Sequence, residues 1–331
     1  MRIAIYGAGS TGCYLGGLFL LCGHEVFLIC RPRIEEAIEA QGGMTLTDYE
    51  GQHETVMPTA LITSLAEHPA QTFDAVFVTL KCHQLSSAKA DLIRLAETGS
   101  ELFFMQNGLG SLDAIATSLP SHAIKQGITP FNVLTKTDAV YHRGTAGDIV
   151  FEKSSLSEQL KPQLEALGFG CHLHGDMQPV IYAKLLLNLN NALNAISNLP
   201  IKTQMEDPSI RRVLAAAMQE WLNVAKAEGV KLEKNTAVPA SWIPHILRLP
   251  TFLFTRIAQQ MIAIDPEARS SMWEDIQAGR PTEVFFLNGA VERKAAALGI
   301  DAPVNQKIHA LITQLERGQN VHLGELVNIS T

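Results

Sequence analysis

The spacing of apolar residues changes once along this chain, and the change divides it in two. In the first half they fall in short solid runs, at residues 3–6, 25–30, 73–80 and 101–106. Runs of that length bounded by turn residues predict strands buried on both faces, as in a parallel sheet covered by helices. Helical spacing fills the gaps, at 13–22, just after Arg33, and at 87–96, 111–119 and 156–167. Weaker strand signals near 123–129, 139–142 and 147–152 predict an antiparallel finish to the sheet, closed by a short strand near Cys171. A polar stretch at 43–61, rich in Thr and Gly, also leans towards strand. From Met177 onwards strand signals all but vanish and a helical period takes over, with helices predicted at 178–197, 207–228 and 306–317. The expected architecture is an α/β domain over residues 1–175 and an all-α domain over 176–331.

The first strand runs into Gly7-x-Gly9-x-x-Gly12 and a helix, and the second strand follows directly. In that βαβ setting the pattern predicts a Rossmann-type dinucleotide site. Gly7 permits the tight turn, Gly9 lets the backbone approach a pyrophosphate, and Gly12 allows helix and strand to pack closely. The phosphates would rest on N–H groups at the helix start, so Ala8, Ser10 and Thr11 join the glycines as candidate cofactor residues. The second strand ends Leu28-Ile29-Cys30-Arg31, with no acid before Glu35. An acid there suits the ribose 2′-hydroxyl of NAD, whereas a guanidinium suits a 2′-phosphate, so Arg31 favours NADP. A solvated surface arginine is the plainer alternative.

With 331 residues, 47% hydrophobic and 18% charged, the chain is large enough for two cores. A net charge of −7 argues against a nucleic-acid or anionic-membrane partner. No apolar stretch approaches the ~20 residues needed to span a bilayer, and no signal-peptide pattern precedes the first strand. Five scattered cysteines without a Cys-x-x-Cys pair fit a reducing, cytoplasmic setting and offer no metal framework.

Lys81 and Asn107 stand just past two predicted strand ends, on the edge of a parallel sheet where ligands gather. In the second half Lys184, Asn188 and Asn191 fall at i, i+4 and i+7, which puts a cation and two amides on one helix face. Four asparagines lie between 188 and 194, although asparagine competes for backbone hydrogen bonds and disfavours a helix interior. Lys, Glu or Arg would serve a solvent face better, so a binding face is the preferred reading. The 242–254 stretch is too apolar for a free loop and is expected to be buried, against a second subunit in a homodimer or over a site. Pro281 suits the first turn of a helix, with Glu283 near its N-terminal end.

Together these segments resemble the ketopantoate reductase (2-dehydropantoate 2-reductase) family over nearly the whole chain. The resemblance is carried by the glycine loop, Leu80-Lys81, Gln106-Asn107-Gly108, Lys184-Leu185-Leu186-Leu187-Asn188, Ser270-Ser271-Met272-x-x-Asp275 and Arg280-Pro281-Thr282-Glu283. The glycine loop is common to many dehydrogenases; the Lys184 and Ser271-to-Glu283 segments are specific. The resemblance implies reduction of a small 2-keto acid, 2-dehydropantoate foremost, by hydride transfer from NADPH, as a step of pantothenate biosynthesis. It implies that Lys184 protonates the substrate oxygen, while Asn107, Asn188 and Ser271 hold the keto acid, with Asn191 close by. Lys81 and Asn107 would line the nicotinamide side. Glu283 would grip the cofactor ribose or order the site, and is counted with Lys184 in the catalytic set. The family usually has a second asparagine eight residues after the lysine; here that position is Ala192, with Asn191 and Asn194 nearby. The apolar 242–254 stretch is also longer than in the simplest members. Two rivals stand beside this reading: a relative that reduces another small keto acid, and a sensor that binds NADPH without turnover.

Overall fold

A computed structural model of the chain describes residues 1–68, 71–234, 238–258 and 268–327. It forms two units, one of Met1–Gln106 with Ser111–Met177, the other of Asn107–Gly110 with Gln178–Thr331.

The strands of the first unit are β1 (Arg2–Tyr6), β2 (Glu25–Ile29), β3 (Met44–Asp48), β4 (His53–Val56), β5 (Ala60–Ile62) and β6 (Ala75–Val78). They continue with β7 (Glu101–Phe104), β8 (Ile124–Ile128), β9 (Val133–Thr137), β10 (Val140–Arg143), β11 (Ile149–Glu152) and β12 (Cys171–His174). Eight of them form one sheet in the order β12-β11-β8-β7-β6-β1-β2-β5. The run from β8 to β5 is parallel. Its centre explains the solid apolar runs: Ile3, Ala4 and Ile5 of β1 are wholly buried, so neither face needs a polar residue. The helices of this unit are α1 (Ser10–Leu21), α2 (Pro32–Gln41), α3 (Lys89–Glu97) and α4 (Ser155–Ala166).

Two expectations need correction here. Of the strands expected in the antiparallel finish, the one near 123–129 is β8 and continues the parallel run; β11 runs antiparallel to it, and β12, parallel to β11, shares that reversed direction. The strand expected at 139–142 leaves this sheet altogether and joins a second one, ordered β4-β3-β10-β9. That small sheet rests on α1, where Gly17 leaves room for Leu46; a Cβ there would come within 2.5 Å of it. The helix expected at 111–119 is reduced to a 3-10 turn at Ala116–Ser118. Gly110, held at φ +84, and Pro120 bracket the segment.

The helical unit holds α5 (Gln178–Ser197), α6 (Ile201–Glu206), α7 (Pro208–Ala227), α8 (Ile243–Leu247) and α9 (Thr251–Ala258). After these come α10 (Ser271–Gln277), α11 (Asn288–Leu298), α12 (Pro303–Glu316) and α13 (Gly324–Val327). Asp207 caps α7 by accepting the Ser209 N–H, with Pro208 in the first turn. Leu185, Leu189 and Leu193 of α5 share a core with Trp221 of α7, Val291 of α11 and Ile308 of α12.

The 242–254 stretch is covered only in part. Ile243, Leu247 and Phe254 are buried, but Trp242 is 63% and Phe252 72% exposed. The reason is that α8 and α9 each turn one face inward. A buried guanidinium holds them there: Arg211 donates to the carbonyls of Met205, Leu247 and Leu249 and lies 4.4 Å from the Phe254 ring centre. Residues 259–267, which follow α9, lie outside the described residues. Pro281 does not open a helix. Glu283 precedes a 3-10 turn, Val284–Phe286, and α11 begins only at Asn288. The Thr282 N–H is instead drawn to Glu316 Oε1 at 2.7 Å. No described helix is long and apolar enough to cross a membrane.

Candidate active site

In the sheet unit, the glycines of the first turn divide by what a side chain would meet. At Gly7 (φ +100) a Cβ would lie 2.8 Å from the Leu80 nitrogen, and at Gly12 it would lie 2.5 Å from Thr79 Oγ1. At Gly9 the nearest atom is 4.0 Å away and the residue is exposed. Two glycines are therefore demanded by the fold, and the third keeps the outer surface of the loop bare. The loop is pinned from behind: Gly7 and Ala8 donate to Ile29 O, and Thr79 Oγ1 donates to Gly7 O at 2.8 Å. The α1 ladder starts with Cys13 N–H to Gly9 O. The N–H groups of Ser10, Thr11 and Gly12 consequently have no partner within the helix. Ser10 Oγ also shares a hydrogen bond with Thr135 Oγ1 at 2.8 Å. A bare glycine beside helix-start N–H groups is a cradle that fits a dinucleotide pyrophosphate. Arg31 is exposed and immediately precedes α2, so a 2′-phosphate there would meet both a guanidinium and a helix start. Lys81 is half-buried at the head of the 3-10 turn Cys82–Gln84, with its N–H bonded to Gln84 Oε1 at 3.1 Å.

The helical unit builds its site from side chains. Asn188 is 8% exposed and donates from Nδ2 to Asn107 Oδ1 at 3.4 Å. Asn107 opens a short segment anchored to this unit through its backbone, since the Leu109 N–H donates to Phe286 O at 2.9 Å. Gly108, at φ +86, makes the approach possible; a Cβ would sit 2.2 Å from that same oxygen. Asn107 is thereby tied to the turn that follows Glu283. One crevice is lined by Asn107, Asn191, Ser271, Asp275 and Glu283, with Met272 and Leu287 as its apolar members.

Among the sequence candidates, Asn107, Asn191, Ser271 and Glu283 meet at this crevice, and Asn188 joins through Asn107. Lys184 is not among its lining residues; it stands one turn before Asn188 on the same face of α5. Burial lowers its ammonium to about 8, which leaves it protonated near neutral pH but ready to give the proton up. Of the residues near the missing second asparagine, Ala192 and Asn194 are wholly buried and only Asn191 reaches the crevice. Asp275 was not among the expected site residues. It is 4% exposed and paired with Arg280 Nε at 3.0 Å, and its signal was the i+4 spacing from Ser271. No metal-holding group of three or more His, Cys, Asp or Glu occurs among the described residues.

Comparison with known proteins gives a consistent likeness. Residues 3–155 match the family described as ketopantoate reductase PanE/ApbA, and residues 176–316 match ketopantoate reductase PanE/ApbA C terminal. The 2-dehydropantoate 2-reductase of Bacillus subtilis (strain 168) is 28% identical over 331 residues, spanning 97% of this chain and 99% of its own. That of Halobacterium salinarum is 26% identical, spanning 96% and 99%. Among solved structures, the PanE/ApbA family ketopantoate reductase from Ralstonia eutropha JMP134 has a TM-score of 0.80 at 29% identity, covering 97% of this chain and 100% of that one. D-mandelate dehydrogenase with NADH and anilino(oxo)acetate also reaches 0.80, at 22% identity and 97% and 100% coverage, a likeness of fold alone.

Proposed function

The chain belongs to the ketopantoate reductase PanE/ApbA family, and on that premise we propose that it reduces 2-dehydropantoate to pantoate with NADPH. The observation that carries this reading is the crevice itself. Asn107, Asn191, Ser271 and Glu283 come from separate parts of the sequence to line it, beside a helix face that also bears Asn188 and Lys184.

NADPH, when bound, supplies the hydride. The remaining tasks fall to the chain. Lys184 donates its proton to the ketone oxygen as negative charge develops there. The amides of Asn107, Asn188 and Asn191 and the Ser271 hydroxyl hold the carboxylate and orient the carbonyl. Glu283 accepts hydrogen bonds from ribose or substrate hydroxyls. In the sheet unit, Gly7 to Gly12 hold the pyrophosphate, Arg31 selects the 2′-phosphate of NADP over NAD, and Lys81 lines the nicotinamide side. Family membership supports a place in pantothenate biosynthesis in the cytoplasm. A homodimer is the proposed assembly, with exposed Trp242 and Phe252 as apolar surface for it to cover; light scattering on the eluted protein decides this point.

A second reading, reduction of a different small 2-keto acid, is favoured by the departure from the family pattern at Ala192, which leaves Asn191 as the α5 amide on the crevice. NADPH oxidation with 2-dehydropantoate, 2-ketoisovalerate, pyruvate and oxaloacetate separates the two. The proposal expects the highest kcat/KM with 2-dehydropantoate; a clear preference for another acid favours the second reading. NADPH binding without oxidation by any of them would make the chain a nucleotide sensor.

A further inference from the structure

Asn194 lies three residues beyond Asn191 on α5, yet it is wholly buried and lines no part of the crevice. Its amide is engaged at both ends. Nδ2 donates to Leu199 O at 2.8 Å and to Gln204 Oε1 at 2.7 Å, and Oδ1 accepts the Ser270 N–H at 2.8 Å. Leu199 O can only accept, which fixes the amide orientation and leaves Oδ1 facing Ser270. Gln204, also wholly buried, returns the link to α5 by donating from Nε2 to Asn190 Oδ1 at 2.8 Å. Ser270 caps α10: its hydroxyl accepts the Trp273 N–H at 3.2 Å and donates to Asn191 O at 2.9 Å. The next residue is Ser271 and Asp275 follows one turn later, both on the crevice.

Two hydrogen bonds at Ser270 thus join the start of α10 to α5 beside Asn191. The bond from the Ser270 hydroxyl asks only a backbone carbonyl of α5, whereas the bond from the Ser270 N–H needs the Asn194 side chain. We infer that Asn194, backed by Gln204, is a positioning residue for the keto acid, holding the Ser270 N–H so that Ser271 stands beside Asn191 at the spacing the ligand needs. This rests on the proposed reading of the crevice as the keto-acid site. It also gives the asparagine-rich helix two jobs, with Asn188 and Asn191 serving the ligand and Asn190 and Asn194 the scaffold behind it.

The test is a double-mutant cycle read by calorimetric titration of 2-dehydropantoate into the NADP⁺-loaded full chain, which needs no turnover. Asn194→Ala is expected to raise the keto-acid Kd about tenfold and to leave the NADP⁺ Kd within about twofold. In a Ser271→Ala background the same change is expected to add less than about twofold, because the group being positioned is gone. The inference is overturned by a full loss that persists without Ser271, or by equal weakening towards NADP⁺. If Asn194→Ala does not fold, Gln204→Met enters the same cycle with an expected loss of about threefold, and additivity there is equally fatal. NADPH oxidation is followed in parallel. A wild type that binds the keto acid without reducing it fails the proposed reaction and leaves the cycle readable, whereas one that binds no keto acid overturns both.

Discussion

The glycine turn of the sheet unit and the amide crevice of the helical unit present polar groups to a ligand in opposite ways. The turn uses backbone: N–H groups of Ser10, Thr11 and Gly12 at a helix start, with Gly9 left bare beside them. Its geometry is fixed within a dozen residues of sequence and by two neighbouring strand ends. The crevice uses side chains from α5, α10, the 107–110 segment and the turn at Glu283. Buried bonds such as Ser270 N–H to Asn194 Oδ1 join two of those elements, α10 and α5. A backbone site tolerates sequence change around it and can serve many dehydrogenases. A side-chain site is specific, and it depends on residues that never touch the ligand.

The strongest way to break the comparison is at Lys184, the residue expected to donate the proton. Lys184→Ala is expected to lower kcat by about 10²–10⁴ while the Kd for NADPH, held by the other unit, changes little. Stopped-flow turnover and fluorescence titration of NADPH measure the two parts separately. A near-normal kcat would remove Lys184 from the mechanism. The wild type adds a second check. Since burial lowers the Lys184 pKa to about 8, the donor is lost as pH rises, so kcat/KM for reduction should fall through about pH 8. Oxidation of pantoate, which needs the neutral amine as base, should rise over the same interval. A reduction rate that is flat from pH 7 to 9.5 contradicts the assignment.

Arg31 probes the side-chain component of the backbone site. Losing a charge-assisted contact costs about 1.5–3 kcal/mol, so Arg31→Ala should raise the KM for NADPH roughly ten- to a hundredfold and leave that for NADH almost unchanged. Equal weakening towards both coenzymes would return Arg31 to the surface.

The glycines sharpen the distinction between fold and ligand within one turn. Gly12→Ala drives a Cβ against Thr79 Oγ1 and the Gly7 carbonyl and should destabilise the chain by about 1–3 kcal/mol. Gly9→Ala projects into open space, so its melting temperature should hold while NADPH binding weakens. If both variants lose stability alike, the open face of Gly9 is not what separates them.

The smallest effect on the ligand is expected at Ala192. Placing the family's asparagine there puts an amide into a wholly buried position of the α5 core. Ala192→Asn should therefore cost about 1–3 kcal/mol in denaturant unfolding without lowering the KM for 2-dehydropantoate. A tighter KM in that variant would show that position 192 does reach the ligand.

Much of the molecule is legible in the residues alone where local signals and tertiary demands agree. The βαβ opening, with its glycines, follows from the solid apolar run, the turn chemistry and the helix start, all contiguous. The helix predicted at 178–197 is α5 as observed, because a period held over twenty residues fixes an element and its faces together. Lys184, Asn188 and Asn191 share a face for the same reason. The sequence also signalled that so many asparagines need a use, but not how the uses are divided.

That division is a matter of tertiary contact. Asn191 meets the crevice and Asn194 meets Ser270 because α10, some seventy residues downstream, packs against α5 at that point. No local pattern carries this. The strand expected in the main sheet at 139–142 pairs instead with β3 and β9 in the small sheet, whose Leu46 fits over Gly17 of α1, and of these partners β3 and α1 lie far from it in the chain. Trp242 and Phe252 are exposed although their stretch reads as buried, because Arg211 fixes which faces of α8 and α9 turn inward. By itself the sequence determined the elements, their faces and the backbone nucleotide turn, since those rest on neighbours within a few helical turns. The tertiary structure alone decided which polar side chains converge, because convergence depends on packing and buried hydrogen bonds between segments far apart in the chain.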